Sequence, residues 1–264
     1  MVNALSQYSC SPFEADGDTR DVYRKGSGPA VIVMAEMPGI TPKVLAFAER
    51  VIALGCTVYL PHLFGQPGKG INPATVSRAI LPACVSKDFS AWALNTTSPV
   101  TVWLRALARH AHEECGGPGV GAIGMCWTGG FALGMMVDPS VIAPVLSQPS
   151  LPVATTKRHR ADIGLSPQDL AVVKERAEDG VCVLGLRFSG DPMVPQARFD
   201  TLERELGDRF IGVTIDSSKG NAAAVPRSAH SVVTEHLVDE PGHPTREALD
   251  QVLDFFRDRL LVTA

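Results

Sequence analysis

The segment Gly124-Met125-Cys126-Trp127-Thr128-Gly129-Gly130 sets one thiol between an apolar run, VGAIG, and a stretch of helical character, FALGMM. A strand, a sharp turn and a helix in that order expose the central residue on a strained turn at the strand's carboxyl end. Small residues on either side let the backbone fold tightly enough. A helix N-terminus there favours a thiolate, and the next backbone N–H, on Trp127, is available to a developing oxyanion. Cys126 therefore reads as a nucleophile for acyl transfer. The competing reading is a small buried hydrophobe, which free cysteine usually is.

A thiol nucleophile needs a base, and the base needs an orienting group. The run VCVLGLRF ends in SGDPMVP, which puts Asp191 just beyond a strand, although Asp-Pro at a strand exit is also an ordinary turn signal. RFIGVTI is followed by SAHSVVTEH, which carries two candidate bases, His230 and His236. The chain order nucleophile, acid, histidine carries more weight than any of the three alone. His243 directly precedes Pro244 and reads as a cap or turn residue. His62, in YLPHLFG, reads as a loop or crevice-wall residue. His110 and His112 stand two apart on a helix, face different ways and make no metal site. Glu36 interrupts the apolar run AVIVMA at its carboxyl end, where a carboxylate must find a partner or water.

These side chains need a frame that brings strand ends together. Short β-branched runs alternate with segments of helical period, which predicts an α/β fold: a mostly parallel sheet with helices on both faces. The expected strands are 30–35, 56–60, 120–124, 141–146, 181–188 and the run RFIGVTI, about six in all. Between them, Thr41 and Pro42 open a helix that Gly55 stops, and Ser98 caps a second with Val100, Trp103, Leu104 and Leu107 on one face. Helices follow from about 128 to 137, through Phe199, Leu202 and Leu206, and from 245 to 261. The chain shows no repeat and no linker, so one domain spanning 1–264 is expected. Residues 147–180 break the alternation with the basic run Lys157 to Arg160 and a short helix after Pro167, and read as a surface excursion or a lid.

The 264 residues allow a sizeable core, and a net charge of −4 offers no basic face for nucleic acid. No apolar run is long enough to span a bilayer, and the first residues lack a basic segment followed by an apolar core. A cytoplasmic location and no membrane partner are expected. Six cysteines, with no CxxC pair, read as reduced thiols rather than a disulfide framework or zinc site.

Four segments together resemble the dienelactone hydrolase (carboxymethylenebutenolidase) family of α/β-hydrolases, across roughly residues 30–260. They are VIVMAEMPGITPKVLAFAERVIALGCTVYLPHLFG, GAIGMCWTGGFAL, FSGDPMVPQARF with AHSVV, and EALDQVLDFF. The resemblance implies Cys126 as nucleophile, His230 as base and Asp191 as orienting acid. It implies that Glu36 holds the resting thiol and takes its proton when substrate displaces it, and that the Met37 N–H is the second oxyanion donor. It implies no metal and no cofactor. Two positions depart from the family pattern: Thr128 stands where a glycine follows the G-x-C-x turn, and Thr234 stands where dienelactone-cleaving members carry an arginine. A hydroxyl cannot grip a carboxylate bidentately, which argues against dienelactone itself unless Arg198, Arg227 or the Lys157–Arg160 run substitutes. The expected activity is hydrolysis of a small-molecule ester or lactone through an acyl-cysteine. The rivals are a thiol-dependent acyl-transfer or redox protein and a non-catalytic binding scaffold of the same fold.

Overall fold

The computed structural model describes residues 4–71, 75, 97–151 and 156–261. The strands are β1 (Ser9–Ala15), β2 (Asp18–Gly26), β3 (Ala30–Met34), β4 (Thr57–Pro61), β5 (Val120–Met125), β6 (Val141–Ser147), β7 (Val183–Phe188) and β8 (Phe210–Ile215). They form one eight-stranded sheet in the order β1-β2-β4-β3-β5-β6-β7-β8. β2 pairs antiparallel with both β1 and β4, and the other neighbours are parallel.

The two strands beyond the six expected are β1 and β2. Their turn is Asp16-Gly17, both at positive φ (52° and 76°), the geometry a two-residue hairpin demands. β1 lies at the sheet edge and is largely exposed, so it carries no alternation of apolar and polar residues to betray it.

The helices are α1 (Pro42–Ala53), α2 (Pro99–Cys115), α3 (Gly129–Met135), α4 (Lys157–Ala161), α5 (Pro167–Glu178), α6 (Gln196–Leu206) and α7 (Pro244–Leu260). β3, β4, β5 and β7 are buried along their whole length, as strands covered on both faces must be. Val31 and Val33 face α1 and α7 through Val44, Phe47, Leu249 and Val252. Ile32 and Met34, one residue out of phase, lie on the opposite face, in the layer that also holds Trp103, Leu104, Phe131 and Leu202 of α2, α3 and α6.

Thr41 caps α1 by accepting the Val44 N–H at 3.3 Å. Ser98 precedes α2 as expected but its buried hydroxyl makes no cap bond, so Pro99 supplies the start signal instead. Within the 147–180 segment, α5 buries Val173 and Ala177 against the α2–α3–α6 layer, while 152–155 lie outside the described residues. No helix among the described residues is long and apolar enough to cross a membrane.

The chain leaves β3 for β4 on one side, and β5 then enters on the other. β3 and β5 therefore flank the point where the connections diverge and open a crevice beyond the carboxyl ends of the strands. Because β3 to β8 run parallel, the segments that follow β3, β5, β6, β7 and β8 all begin at that edge.

Candidate active site

Cys126 is the first residue after β5 and has φ +56°, a left-handed conformation that costs a non-glycine residue about 1–3 kcal/mol. The neighbouring glycines make the turn possible. A Cβ on Gly124 would sit 2.0 Å from the Thr128 carbonyl oxygen, and one on Gly129 2.6 Å from Pro149 Cα. Thr128 earns its place differently: its buried Oγ1 accepts the Met125 N–H at 2.8 Å and lies 2.9 Å from the Met34 carbonyl oxygen. The hydroxyl thus ties the elbow to the end of β3, two residues before Glu36. Helical character starts with a 3-10 turn at Cys126–Thr128, which places the α-helix one residue later than expected.

Asp191 stands beyond β7 with its carboxylate buried; Oδ1 accepts the Met193 N–H at 2.9 Å and Oδ2 lies 2.6 Å from His230 Nδ1. The other ring nitrogen, Nε2, is buried and has no hydrogen-bond acceptor of good geometry among the described residues. The Cys126 sulfur is near enough to act on it. Burial pulls the His230 imidazole down, but the Asp191 hydrogen bond and the Cys126 sulfur outweigh burial and push it up to about 10. A proton on His230 is therefore favoured through the neutral range. Cys126, Asp191 and His230 lie in the segments that follow three different parallel strands, β5, β7 and β8, and meet at one place.

His236 does not compete for that place. Its Nδ1 accepts the N–H groups of both His230 (3.3 Å) and Ser231 (3.2 Å), and its ring packs edge-on against Phe188. It shapes the turn that carries His230. His243 caps α7, accepting the Thr245 N–H at 3.3 Å. His62 Nε2 sits 3.1 Å from the Gly65 carbonyl oxygen, while on α2 His110 pairs with Glu114 and His112 reaches the Gly117 carbonyl.

Glu36 is 3 % exposed and accepts three hydrogen bonds: from Ser231 and from Gln148 Nε2 (3.2 Å) at Oε2, and from Thr234 at Oε1. Burial holds its carboxyl above the usual carboxylate range, against the opposing pull of the Ser231 and Thr234 hydroxyls and the His230 charge. Glu36 makes no hydrogen bond to Cys126, so the resting thiol is not held in the way the resemblance implies. Its sulfur instead receives the Ser150 hydroxyl at 3.1 Å, and the Ser150 N–H donates to the Cys126 carbonyl at 3.0 Å. The half-buried Met37 follows Glu36 directly, and its N–H donates to no acceptor among the described residues.

Thr234 is spent on Glu36. Arg198 is 2 % exposed and gives its N–H groups to the carbonyls of Asp162 (2.6 Å), Pro149 (2.8 Å), Met193 (3.2 Å) and His159 (3.2 Å). Arg198 therefore braces three loops and does not face a substrate. Arg227 and Arg160 are exposed.

Gln148, Ser150, Ser231 and Thr234 acquire contacts to Glu36 or Cys126 that the sequence reading did not give them. The available signal was position: Gln148 and Ser150 directly follow the buried strand β6, and Ser231 follows His230. Among the described residues, no group of three or more His, Cys, Asp or Glu side chains is placed to hold a metal ion.

An open, mostly parallel sheet with a cysteine elbow, a histidine and an acid at its carboxyl edge defines the α/β-hydrolase class. The dienelactone hydrolase family model matches residues 19–259, and the chain belongs to that family of hydrolases. Solved structures agree at the level of fold. Dienelactone hydrolase from Anabaena variabilis is 15 % identical with a TM-score of 0.61, the match covering 96 % of this chain and 98 % of that one. A dienelactone hydrolase-like promiscuous phosphotriesterase, P91, from metagenomic libraries is 15 % identical with a TM-score of 0.60 and the same coverages. A cold-adapted esterase from an Arctic intertidal metagenomic library is also 15 % identical, with a TM-score of 0.58 over 96 % of this chain and 93 % of that one. No curated protein matches the chain.

Proposed function

We propose that the protein hydrolyses a carboxylic ester or lactone through an acyl-cysteine intermediate. The Cys126 sulfur attacks the carbonyl carbon as a thiolate, its proton already held at Nε2 of the charged His230. The tetrahedral oxyanion is met by the N–H groups of Met37 and Trp127. His230 returns the proton to the leaving alkoxide as the C–O bond breaks, leaving a thioester on Cys126. His230 then takes a proton from water, the hydroxide attacks the thioester, and as the acid departs the sulfur leaves as a thiolate facing the recharged His230. Asp191 keeps the imidazole in one orientation and stabilises its cationic form.

One observation carries the reading: the 2.6 Å contact of His230 Nδ1 with Asp191, which leaves Nε2 buried beside the Cys126 sulfur with no other partner among the described residues. An imidazole pinned at one nitrogen by a buried carboxylate and turned at the other toward a thiol is the arrangement that nucleophilic catalysis requires. The structural relatives include one that is, by its description, an esterase, which fits hydrolysis of a carboxylic ester. With Thr234 and Arg198 both committed to internal contacts, the reading takes a substrate that needs no grip from them on a carboxylate. A cytoplasmic site of action is part of it, supported by the free thiols of the described cysteines.

The test is release of p-nitrophenol from p-nitrophenyl acetate by the wild type, Cys126→Ala and His230→Ala. Loss of turnover in both variants is expected. Equal rates in all three would remove the enzyme reading, and loss in His230→Ala alone would move the nucleophile elsewhere.

A further inference from the structure

We propose that Ser150 is a positioning residue for the Cys126 nucleophile, its hydroxyl donating to the sulfur and holding it for attack; this rests on the acyl-cysteine reading. Ser150 is 1 % exposed and bonds Cys126 twice, through its N–H to the carbonyl at 3.0 Å and through Oγ to Sγ at 3.1 Å. One residue thus fixes both the backbone of the strained elbow and the direction of its side chain. The sulfur is the hydroxyl's side-chain partner among the described residues, so its hydrogen is not shared with a competing acceptor.

The segment that presents Ser150 is itself held. The Gln148 N–H donates to the Leu186 carbonyl at 2.8 Å, which anchors the segment to β7. The Pro149 carbonyl accepts from the buried guanidinium of Arg198 at 2.8 Å. Pro149 Cα occupies the space that a Cβ on Gly129 would take, so the segment lies directly against the start of α3.

The chemistry follows from the acceptor. A thiol sulfur accepts hydrogen bonds weakly, whereas one carrying negative charge accepts them strongly. The Ser150 bond is therefore strong while the sulfur carries charge opposite the protonated His230, weakens in the thioester, and strengthens again as the sulfur leaves on hydrolysis. Such a contact favours the charged sulfur over the neutral thiol and acts on turnover rather than on substrate binding. Nothing in the exchange needs a co-reactant, because the hydroxyl keeps its proton throughout.

The experiment compares wild type, Ser150→Ala, Ser150→Thr and Ser150→Cys on p-nitrophenyl butyrate, and measures alkylation of Cys126 by iodoacetamide. Ser150→Ala is expected to lower kcat about ten- to a hundredfold, the range of a hydrogen bond to a charged group. KM is expected to stay within about twofold, with alkylation slowed in parallel. Ser150→Thr keeps a hydroxyl and restores both rates, and Ser150→Cys, a similar shape with a weak donor, falls between. Unchanged kcat in Ser150→Ala, a loss confined to KM, or a Thr variant as slow as the Ala variant would each overturn the proposal. Should Ser150→Ala not fold, the Thr and Cys pair decides, since equal rates for those two leave the donor no role. Cys126→Ala run alongside separates the two readings: full turnover there defeats the nucleophile assignment itself, whereas a dead Cys126→Ala beside an unaffected Ser150→Ala defeats only the positioning role.

Discussion

Thr234 donates its hydroxyl hydrogen to Oε1 of Glu36, joining two positions 198 residues apart in the chain. Ser231 and Gln148 complete the cradle from the other side, so a fully buried carboxyl is met by three neutral donors. Thr234→Val keeps the shape and removes one of them. The expected outcome is a loss of about 1–3 kcal/mol of stability, the penalty for leaving a buried acceptor unmatched. Urea unfolding measures it, with Thr234→Ser as the variant that restores the donor; equal midpoints for wild type and Thr234→Val would refute the contact.

Glu36 also gives stability a pH dependence of known sign. Burial raises its carboxyl above the usual value of 4.5, so between that value and the raised one the folded chain keeps a proton the unfolded chain has released. Stability contributed by Glu36 therefore declines as pH climbs through this window. Glu36→Gln cannot titrate, and the difference in Tm between variant and wild type is expected to move in the variant's favour from pH 4 to pH 7. A difference that stays flat would mean Glu36 titrates normally.

His230 carries the same sign, over a higher pH range. Its folded-state value is pushed up to about 10 because the Asp191 hydrogen bond and the Cys126 sulfur outweigh burial. The stabilisation from that pairing is complete below the ordinary histidine value of about 6.5 and is lost as pH rises toward 10. Asp191→Asn removes the first of those two supports. NMR titration should find the His230 ring charged well above neutral pH in the wild type and less so in Asp191→Asn, with hydrolysis reduced about a hundredfold or more. A wild-type ring titrating at an ordinary histidine value would contradict the geometry.

Arg198 joins the segment bearing Ser150, the turn after Asp191 and the segment around α4 by giving hydrogen bonds to four backbone carbonyls. Arg198→Met fills much of the volume and satisfies none of them. At about 1–3 kcal/mol for each buried acceptor left unmatched, a loss of roughly 3 kcal/mol or more is expected. Release of the Asp162 and His159 carbonyls should also expose the neighbouring Lys157, Arg158 and Arg160 to trypsin. Cleavage there at the wild-type rate would argue that Arg198 does not brace this segment.

Much of the architecture was legible because local patterns carry it. The buried runs AVIVM, TVYLP and VLGLRF and the helical stripes of α1, α2 and α7 are properties of neighbouring residues. Parallel connections then oblige the carboxyl ends of β5, β7 and β8 to share an edge, so Cys126, Asp191 and His230 could be assigned to one region from their order alone. The hairpin of β1 and β2 is not legible in the sequence because β1, an exposed edge strand, has no face to hide and so shows no period. What surrounds Glu36 and Cys126 lay beyond the sequence for another reason. Gln148, Ser150, Ser231 and Thr234 are ordinary polar residues, and only the folded sheet brings them against partners 24 to 198 positions away. Sequence period determines which segments pack; which donor reaches which buried acceptor is decided by where the loops come to rest, because a hydrogen bond demands placement within a few tenths of an ångström.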